Sequence, residues 1–199
     1  MNISTASISA NRPKEEPGLV VTLAYDGLCL FEFGIAQEIF GLARPEFDFP
    51  WYRHQVVGVD QHITTANGGL HIRVDTDLSL LEQAKTIVIP GWRSPDSPPP
   101  TALIEALQQA VARGTRIISI CSGVFVLAAA GLLQGKSATT HWRYTDYLAQ
   151  HYPDIHVDAN VLYVDEGQII TSAGSSAGID ACLHLITRDF GAKIANQVA

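Results

Sequence analysis

Between Arg116 and Gly131 the chain changes its hydrophobic period once, and a thiol stands at the change. Arg116-Ile117-Ile118-Ser119-Ile120 is a β-branched run with no helical stripe, which predicts a short buried strand. From Ser122 onward Ala, Leu, Val and Phe continue without a breaker to Gly131, which predicts a buried helix closed by a glycine C-cap. Cys121 therefore stands on a strand-to-helix corner, and in open α/β sheets such corners lie on the ligand-binding edge. The corner has the pattern of a nucleophile elbow, with small Ser122 and Gly123 allowing helix and strand to approach closely. Unpaired N–H groups and the partial positive charge of the helix start predict a Cys121 pKa below the free-cysteine value of about 8.5. The stretch also fits a plainer reading, in which Cys121 is a small buried hydrophobe, and that is the expectation for Cys29 and Cys182.

The rest of the chain repeats the strand-then-helix rhythm. Met1 to Pro17 is polar, broken by Pro13 and Pro17, and reads as a loose leader. Leu19 to Ala24 predicts a buried strand, Tyr25-Asp26-Gly27 a turn, and Phe31 to Leu42 a helix with Phe31, Ile35, Ile39 and Leu42 on one face. Tyr52 to Val59 predicts a second strand, Ile63 to Val74 a hairpin broken by Asn67-Gly68-Gly69, and Asp77 the cap of a short helix through Ala84. Thr86-Ile87-Val88-Ile89 is a further buried strand ending at Pro90-Gly91-Trp92; a proline-rich loop from Ser94 to Pro100 follows, then a helix capped by Thr101 and ended by Gly114. After Gly131 come a helix of roughly Arg143 to Gln150, a hairpin of Asp158–Val164 with Ile169–Ser172, a helix to about Asp189, and a last amphipathic piece from Gly191. The fold class expected is α/β, a three-layer sandwich with a doubly wound, mainly parallel sheet of flavodoxin-like type.

Composition narrows the function classes. With 199 residues, 47% hydrophobic and 17% charged, the chain is long enough for one domain with a full core. Its three cysteines form no CxxC pair, and the histidines apart from His141 show no ligand spacing, so no metal and no cofactor are expected. No apolar run reaches the length of a membrane span, and no signal peptide is visible, which predicts a cytoplasmic protein without a membrane partner. Thirteen Lys and Arg against twenty Asp and Glu give a net charge of −7 with no basic cluster, so this chain is not expected to hold DNA by itself.

Several residues on the same sheet edge bear chemistry. Glu32 opens the first helix among Leu30, Phe31 and Phe33, where apolar surroundings predict a raised pKa and a carboxyl able to donate a hydrogen bond or a proton; the alternative is an acid that only favours its helix start. Gly91 and Trp92 follow a strand, so their amides with that of Ser122 form a candidate oxyanion or carboxylate hole, or else a plain turn. His141, in the polar loop beyond the corner helix, is either a general base or a structural histidine.

The strand Leu19 to Ala24, Glu32, Ile89-Pro90-Gly91, Ile120-Cys121-Ser122-Gly123 and Thr139-Thr140-His141 together resemble the ThiJ/PfpI branch of the class I glutamine amidotransferase-like superfamily, over essentially Gly18 to Ala199. Thr139-Thr140-His141-Trp142, the Asp158 to Gly167 run and Thr171-Ser172-Ala173-Gly174 through Asp180 resemble the N-terminal domain of AraC-type regulators of the FtrA kind. The resemblance implies that Cys121 matches the nucleophile position, Glu32 its acidic partner, Gly91 and Ser122 the oxyanion donors, and His141 a pocket histidine of some branches. It departs from the family's proteases, which carry His directly after the nucleophile where this chain has Ser122. It further implies a sensor domain over residues 18–199, a C-terminal helix-turn-helix domain outside this chain, a small-molecule effector, DNA contacted only through that other domain, and a homodimer. The competing expectation is a cysteine-dependent hydratase or glyoxalase-like enzyme in which Cys121 attacks and Glu32 delivers a proton.

Overall fold

The computed structural model describes residues 16–60 and 63–199; residues 1–15 of the expected leader, and His62, lie outside the described residues. Its strands are β1 (Leu19–Ala24), β2 (Arg53–Gly58), β3 (Ile63–Thr65), β4 (His71–Arg73), β5 (Thr86–Pro90), β6 (Arg116–Ile120), β7 (Ser137–Ala138), β8 (His156–Val157), β9 (Tyr163–Asp165) and β10 (Ile169–Ser172). Its α-helices are α1 (Leu30–Ala36), α2 (Thr101–Ala112), α3 (Val124–Ala129), α4 (Thr145–His151), α5 (Ala177–Phe190) and α6 (Ala192–Val198).

Six strands make one sheet in the order β2-β1-β5-β6-β10-β9. All neighbours are parallel except β9, which turns back antiparallel along β10 as the late hairpin predicts. Followed along the chain, the parallel strands have the flavodoxin-like order, whose topological switch falls between β1 and β5. The near-continuous apolar character of these strands reflects burial on both faces. Val20, Val88, Ile118 and Ile170 point into a core shared with α1, α5 and α6, while Val21, Ile87, Ile89 and Ile117 point into one shared with α2, α3 and α4. The chain is thus α/β in three layers, with the Ile63–Val74 hairpin realised as the separate antiparallel pair β3 and β4.

Three local expectations are corrected. The first helix does not continue in one phase to Leu42: after Ala36 a π turn over Gln37–Gly41 widens the spiral. Ile35 and Ile39 are buried as expected, but the wider turn carries Phe40 inward, edge-on to Tyr52 at 5.1 Å between centroids. Phe31 and Leu42 face outward, 56% and 42% exposed. Secondly, Thr101 is the first residue of α2 and not its cap; Pro100 holds that position and no side chain caps the helix. Thirdly, the helix beyond Cys121 is shorter than its apolar run: a 3-10 turn over Cys121–Gly123 precedes the six residues of α3. Asp77 does cap the short helix after it, its Oδ1 accepting from the Ser79 amide at 2.9 Å.

Candidate functional site

The carboxyl ends of β1, β5, β6 and β10 converge on one edge, and each delivers a piece of the site. At the end of β6 the backbone turns sharply: Cys121 has φ 57°, the left-handed region that costs an L-residue roughly 1–3 kcal/mol and persists only where its surroundings enforce it. Gly123 shows what enforces it. A Cβ there would stand 2.6 Å from the carbonyl oxygen of Ile89 in β5, so only glycine lets the corner press this closely against the neighbouring strand. The Thr140 hydroxyl donates to the Cys121 carbonyl at 2.8 Å and fixes the corner from the loop after β7.

Gly174, just past β10, closes the other side of the thiol. A Cβ on it would lie 3.0 Å from Cys121 Cβ, 3.1 Å from Cys121 Sγ and 3.1 Å from His141 Cδ2, which places His141 and Cys121 on either side of one glycine. The His141 ring is half-buried, accepts the Arg143 amide on Nδ1 at 3.2 Å, and stands 5.3 Å from the exposed Trp142 ring. No hydrogen bond joins His141 to Cys121 among the described residues.

From the β1 side α1 brings Glu32, 9% exposed, close enough for its charge to act on Cys121. Cys29, at the cap position of α1, is half-buried in the same pocket and not the enclosed hydrophobe expected. It neighbours Tyr25, whose hydroxyl donates to the Pro90 carbonyl at 2.9 Å, and a Cβ on Gly91 would come within 2.9 Å of its sulfur. Cys182, on the inner face of α5, is fully buried, as expected.

The thiol is where the electrostatic expectation is overturned. Burial above all, with a smaller contribution from Glu32, pushes the Cys121 pKa up to about 11, and the Ser122 amide opposes them without prevailing. A six-residue helix has too little dipole to offset desolvation of a thiolate. Burial likewise raises Cys29, partly opposed by Tyr25. Among the described residues no hydrogen bond links Glu32 to either sulfur.

The candidate hole has few free donors. The Trp92 amide donates to Ser122 Oγ at 2.9 Å, Ser122 Oγ donates back to the Trp92 carbonyl at 2.9 Å, and the Gly91 amide is turned onto the Ile89 carbonyl at 3.0 Å. This reciprocal latch ties the β5 loop to the β6 corner and leaves the Ser122 amide as the donor facing Cys121. Arg93 braces the loop from outside, pairing with Asp60 and lying 4.7 Å over the Trp92 ring. Among the described residues no group of His, Cys, Asp and Glu side chains is arranged to hold a metal ion.

The structure therefore brings Cys121, Ser122, Glu32, Gly91, Trp92 and His141 to one edge, and it adds Gly174, Cys29, Tyr25 and Thr140. Thr140 and Gly174 stand in the motifs that carry the resemblance, without a site role read for them there, while Cys29 and Tyr25 carry no local mark of the pocket.

The chain is similar to several known proteins. The chain is 32% identical over 177 residues to the HTH-type transcriptional regulator CdhR of Pseudomonas aeruginosa, a match covering 89% of this chain and 52% of that protein. The chain thus spans about half the length of such curated regulators. Over a shorter stretch of 95 residues, 48% of this chain and 40% of the other, it is 40% identical to isonitrile hydratase of Pseudomonas putida. The fold superposes on a crystal structure of an AraC family transcriptional regulator from Pseudomonas putida with TM-score 0.77, covering 92% of this chain and 97% of that one at 18% identity. Residues 42–188, which include β2 through most of α5 and the whole Cys121 corner, match the DJ-1/PfpI family, and the chain belongs to that family.

Proposed function

We propose that this chain is the effector-sensing domain of a transcription regulator, binding a small metabolite at the carboxyl edge around Cys121, with DNA contacted by a helix-turn-helix domain outside it. The observation that carries the reading is the match to CdhR, which runs over nearly the whole chain yet covers only half of that regulator. Two features support it. A net charge of −7 without a basic cluster does not suit phosphate contacts, so DNA binding belongs elsewhere. A thiol with a pKa near 11 is overwhelmingly protonated at neutral pH, which suits a binding wall better than a nucleophile. In this reading Cys121, Glu32 and His141 wall the pocket, the Ser122 amide donates to the ligand, and Gly91 and Trp92 position that amide through the latch. The regulator works as a homodimer, with the exposed apolar side chains Phe31 and Ile179 between α1 and α5 as the contact face.

A mobility-shift series on the DNA upstream of the gene tests the reading. The chain alone is expected to give no salt-sensitive, sequence-specific retardation, while the complete gene product gives it and changes it on addition of the effector. Specific retardation by the chain alone overturns the division of labour.

The second reading, a cysteine-dependent hydratase, draws on the likeness to isonitrile hydratase. In it Cys121 attacks and Glu32 returns the proton. Turnover of an isonitrile that disappears in Cys121→Ala would establish it in place of the first.

A further inference from the structure

The two edges of the six-stranded sheet end differently. Along β2 the outer side is covered, because the Gly58 amide donates to the Thr76 carbonyl at 3.1 Å and the Thr76 hydroxyl donates to the Val56 carbonyl. At the other end β9 has no strand beyond it. Its register pairs Val164 with Thr171 of β10, and the Ala173 amide donates to the Leu162 carbonyl at 2.8 Å while the Glu166 amide donates to the Ile169 carbonyl at 2.9 Å. Leu162, Val164 and Glu166 therefore bond inward to β10. Bonding direction alternates along an antiparallel strand, so the N–H and C=O groups of Tyr163 and Asp165 point outward. Among the described residues no backbone partner takes them up. An extended chain laid alongside matches that spacing, which is how peptides add to an open sheet edge.

The same strand walls a cavity. Tyr163 and Val164, with Ser137, His156, Val157 and Asp158, line a space of about 920 Å³. Most of this wall belongs to the Asp158 to Gly167 run, which carries the resemblance to AraC-type regulators and contributes no residue to the Cys121 site. Leu162 and Val164 share one face of β9, and Leu162 is 57% exposed. The segments around the cavity carry Asp154, Asp158 and Glu166 against Lys136 and His156, and among the described residues none of these carboxylates is in an ion pair. Asp158 is exposed, and its Oδ1 accepts the Asn160 amide at 2.9 Å. Glu166 accepts the Ser137 amide at 2.8 Å. Asp165, by contrast, is already closed by His184 and Arg188.

We propose that the outer edge of β9 docks an extended segment of a partner protein as a further, antiparallel strand, with an apolar side chain against Val164 and a basic one toward Asp158. The occupant is basic because the free charges beside the edge are acidic. A second copy of this chain would instead set Asp158 and Glu166 against their own equivalents, and like charges facing each other across an interface oppose association. The proposal does not rest on the regulator reading, and the operator experiment is indifferent to its outcome.

The test is a titration of the isotope-labelled chain with the acetylated, amidated peptide Lys-Thr-Val-Thr-Lys, followed by amide NMR. Its central valine faces Val164 when its threonines bond Tyr163 and Asp165. The expected result is a saturable shift centred on the Tyr163 and Asp165 amides. Methylating both threonine nitrogens removes the peptide's donors and should weaken binding roughly tenfold or more. Asp158→Asn should weaken it roughly two- to fivefold, and glutamate in place of both lysines by more than that. Tyr163→Pro removes an outward N–H and spares the ladder to β10, so it should weaken binding roughly tenfold. The proposal is overturned by the absence of a saturable shift up to millimolar peptide, by equal binding of the methylated peptide, by affinity unchanged in both Asp158→Asn and Tyr163→Pro, or by shifts that centre elsewhere. It is equally overturned if the same amides shift with protein concentration alone, which puts a second copy on this edge.

Discussion

Replacing Gly174 by alanine tests whether this glycine holds the site together. Gly174 has φ +100°, where an L-residue is strained by roughly 1–2 kcal/mol. Its new Cβ would also meet Cys121 Cβ at 3.0 Å, Cys121 Sγ at 3.1 Å and His141 Cδ2 at 3.1 Å, all tighter than ordinary contact. Cys121 cannot retreat easily, because its own backbone is held at φ 57° and its carbonyl is bonded by Thr140. Overpacking of this kind costs roughly 1–3 kcal/mol, so Gly174→Ala should lose about 2–5 kcal/mol in all. Gly167→Ala is the internal control: its φ is +83° and nothing lies within 4 Å of the added Cβ, so it should show the conformational cost alone. Urea denaturation of both variants measures the difference, and Cys121 alkylation measures whether the corner has moved. Equal destabilisation of the two variants, with wild-type alkylation in Gly174→Ala, would refute the claim that Gly174 closes the Cys121 site.

Other perturbations have equally definite outcomes. Burial lowers the His54 pKa from 6.5 to about 4, with Nε2 bonded to Thr22 Oγ1 at 2.8 Å. Between those values the unfolded chain binds the extra proton, so the His54 contribution is complete above pH 6.5 and is lost as pH falls toward 4. Wild type should lose roughly 2–3 kcal/mol from this group between pH 7 and 4.5, and His54→Gln should flatten that part of the profile. Near the amino ends of the strands, Asp189 receives Arg116 through two bonds of 2.5 and 2.8 Å and the Tyr52 hydroxyl at 2.5 Å. Asp189→Ala strands a partly buried guanidinium and should cost about 3–5 kcal/mol in denaturant melts, whereas Tyr52→Phe should cost about 1–2. Light scattering should find a dimer, and Phe31→Glu a monomer; a monomeric wild type at micromolar concentration counts against the proposed contact face.

What the sequence made legible depended on how locally the cause acts. The corner at Cys121 could be read because a β-branched run gives way to a helical one within a few residues, and Ser122 and Gly123 are small where strand and helix meet. Strand β1 was legible to the residue, since Leu19 to Ala24 is apolar or β-branched throughout, with Thr22 among the β-branched, and lies between turn formers. The phase of the first helix was not, because the π turn at Gln37–Gly41 goes with packing of Phe40 against Tyr52, a residue just before β2 and distant in sequence. Cys29 was misread for a related reason: its neighbours Tyr25 and Gly91 share its pocket only once β1 and β5 lie side by side. The sign of the Cys121 shift depends on three-dimensional burial weighed against a helix whose length the apolar run overstated.

The claim that this pocket binds rather than attacks is tested most directly by the pH profile of Cys121 alkylation in the unliganded chain, with the modified residue located by mass spectrometry. A midpoint near 11, well above a free thiol, is expected, with little modification at neutral pH. A midpoint at or below about 7, the range of an activated cysteine nucleophile, would contradict it and return the pocket to the enzyme reading.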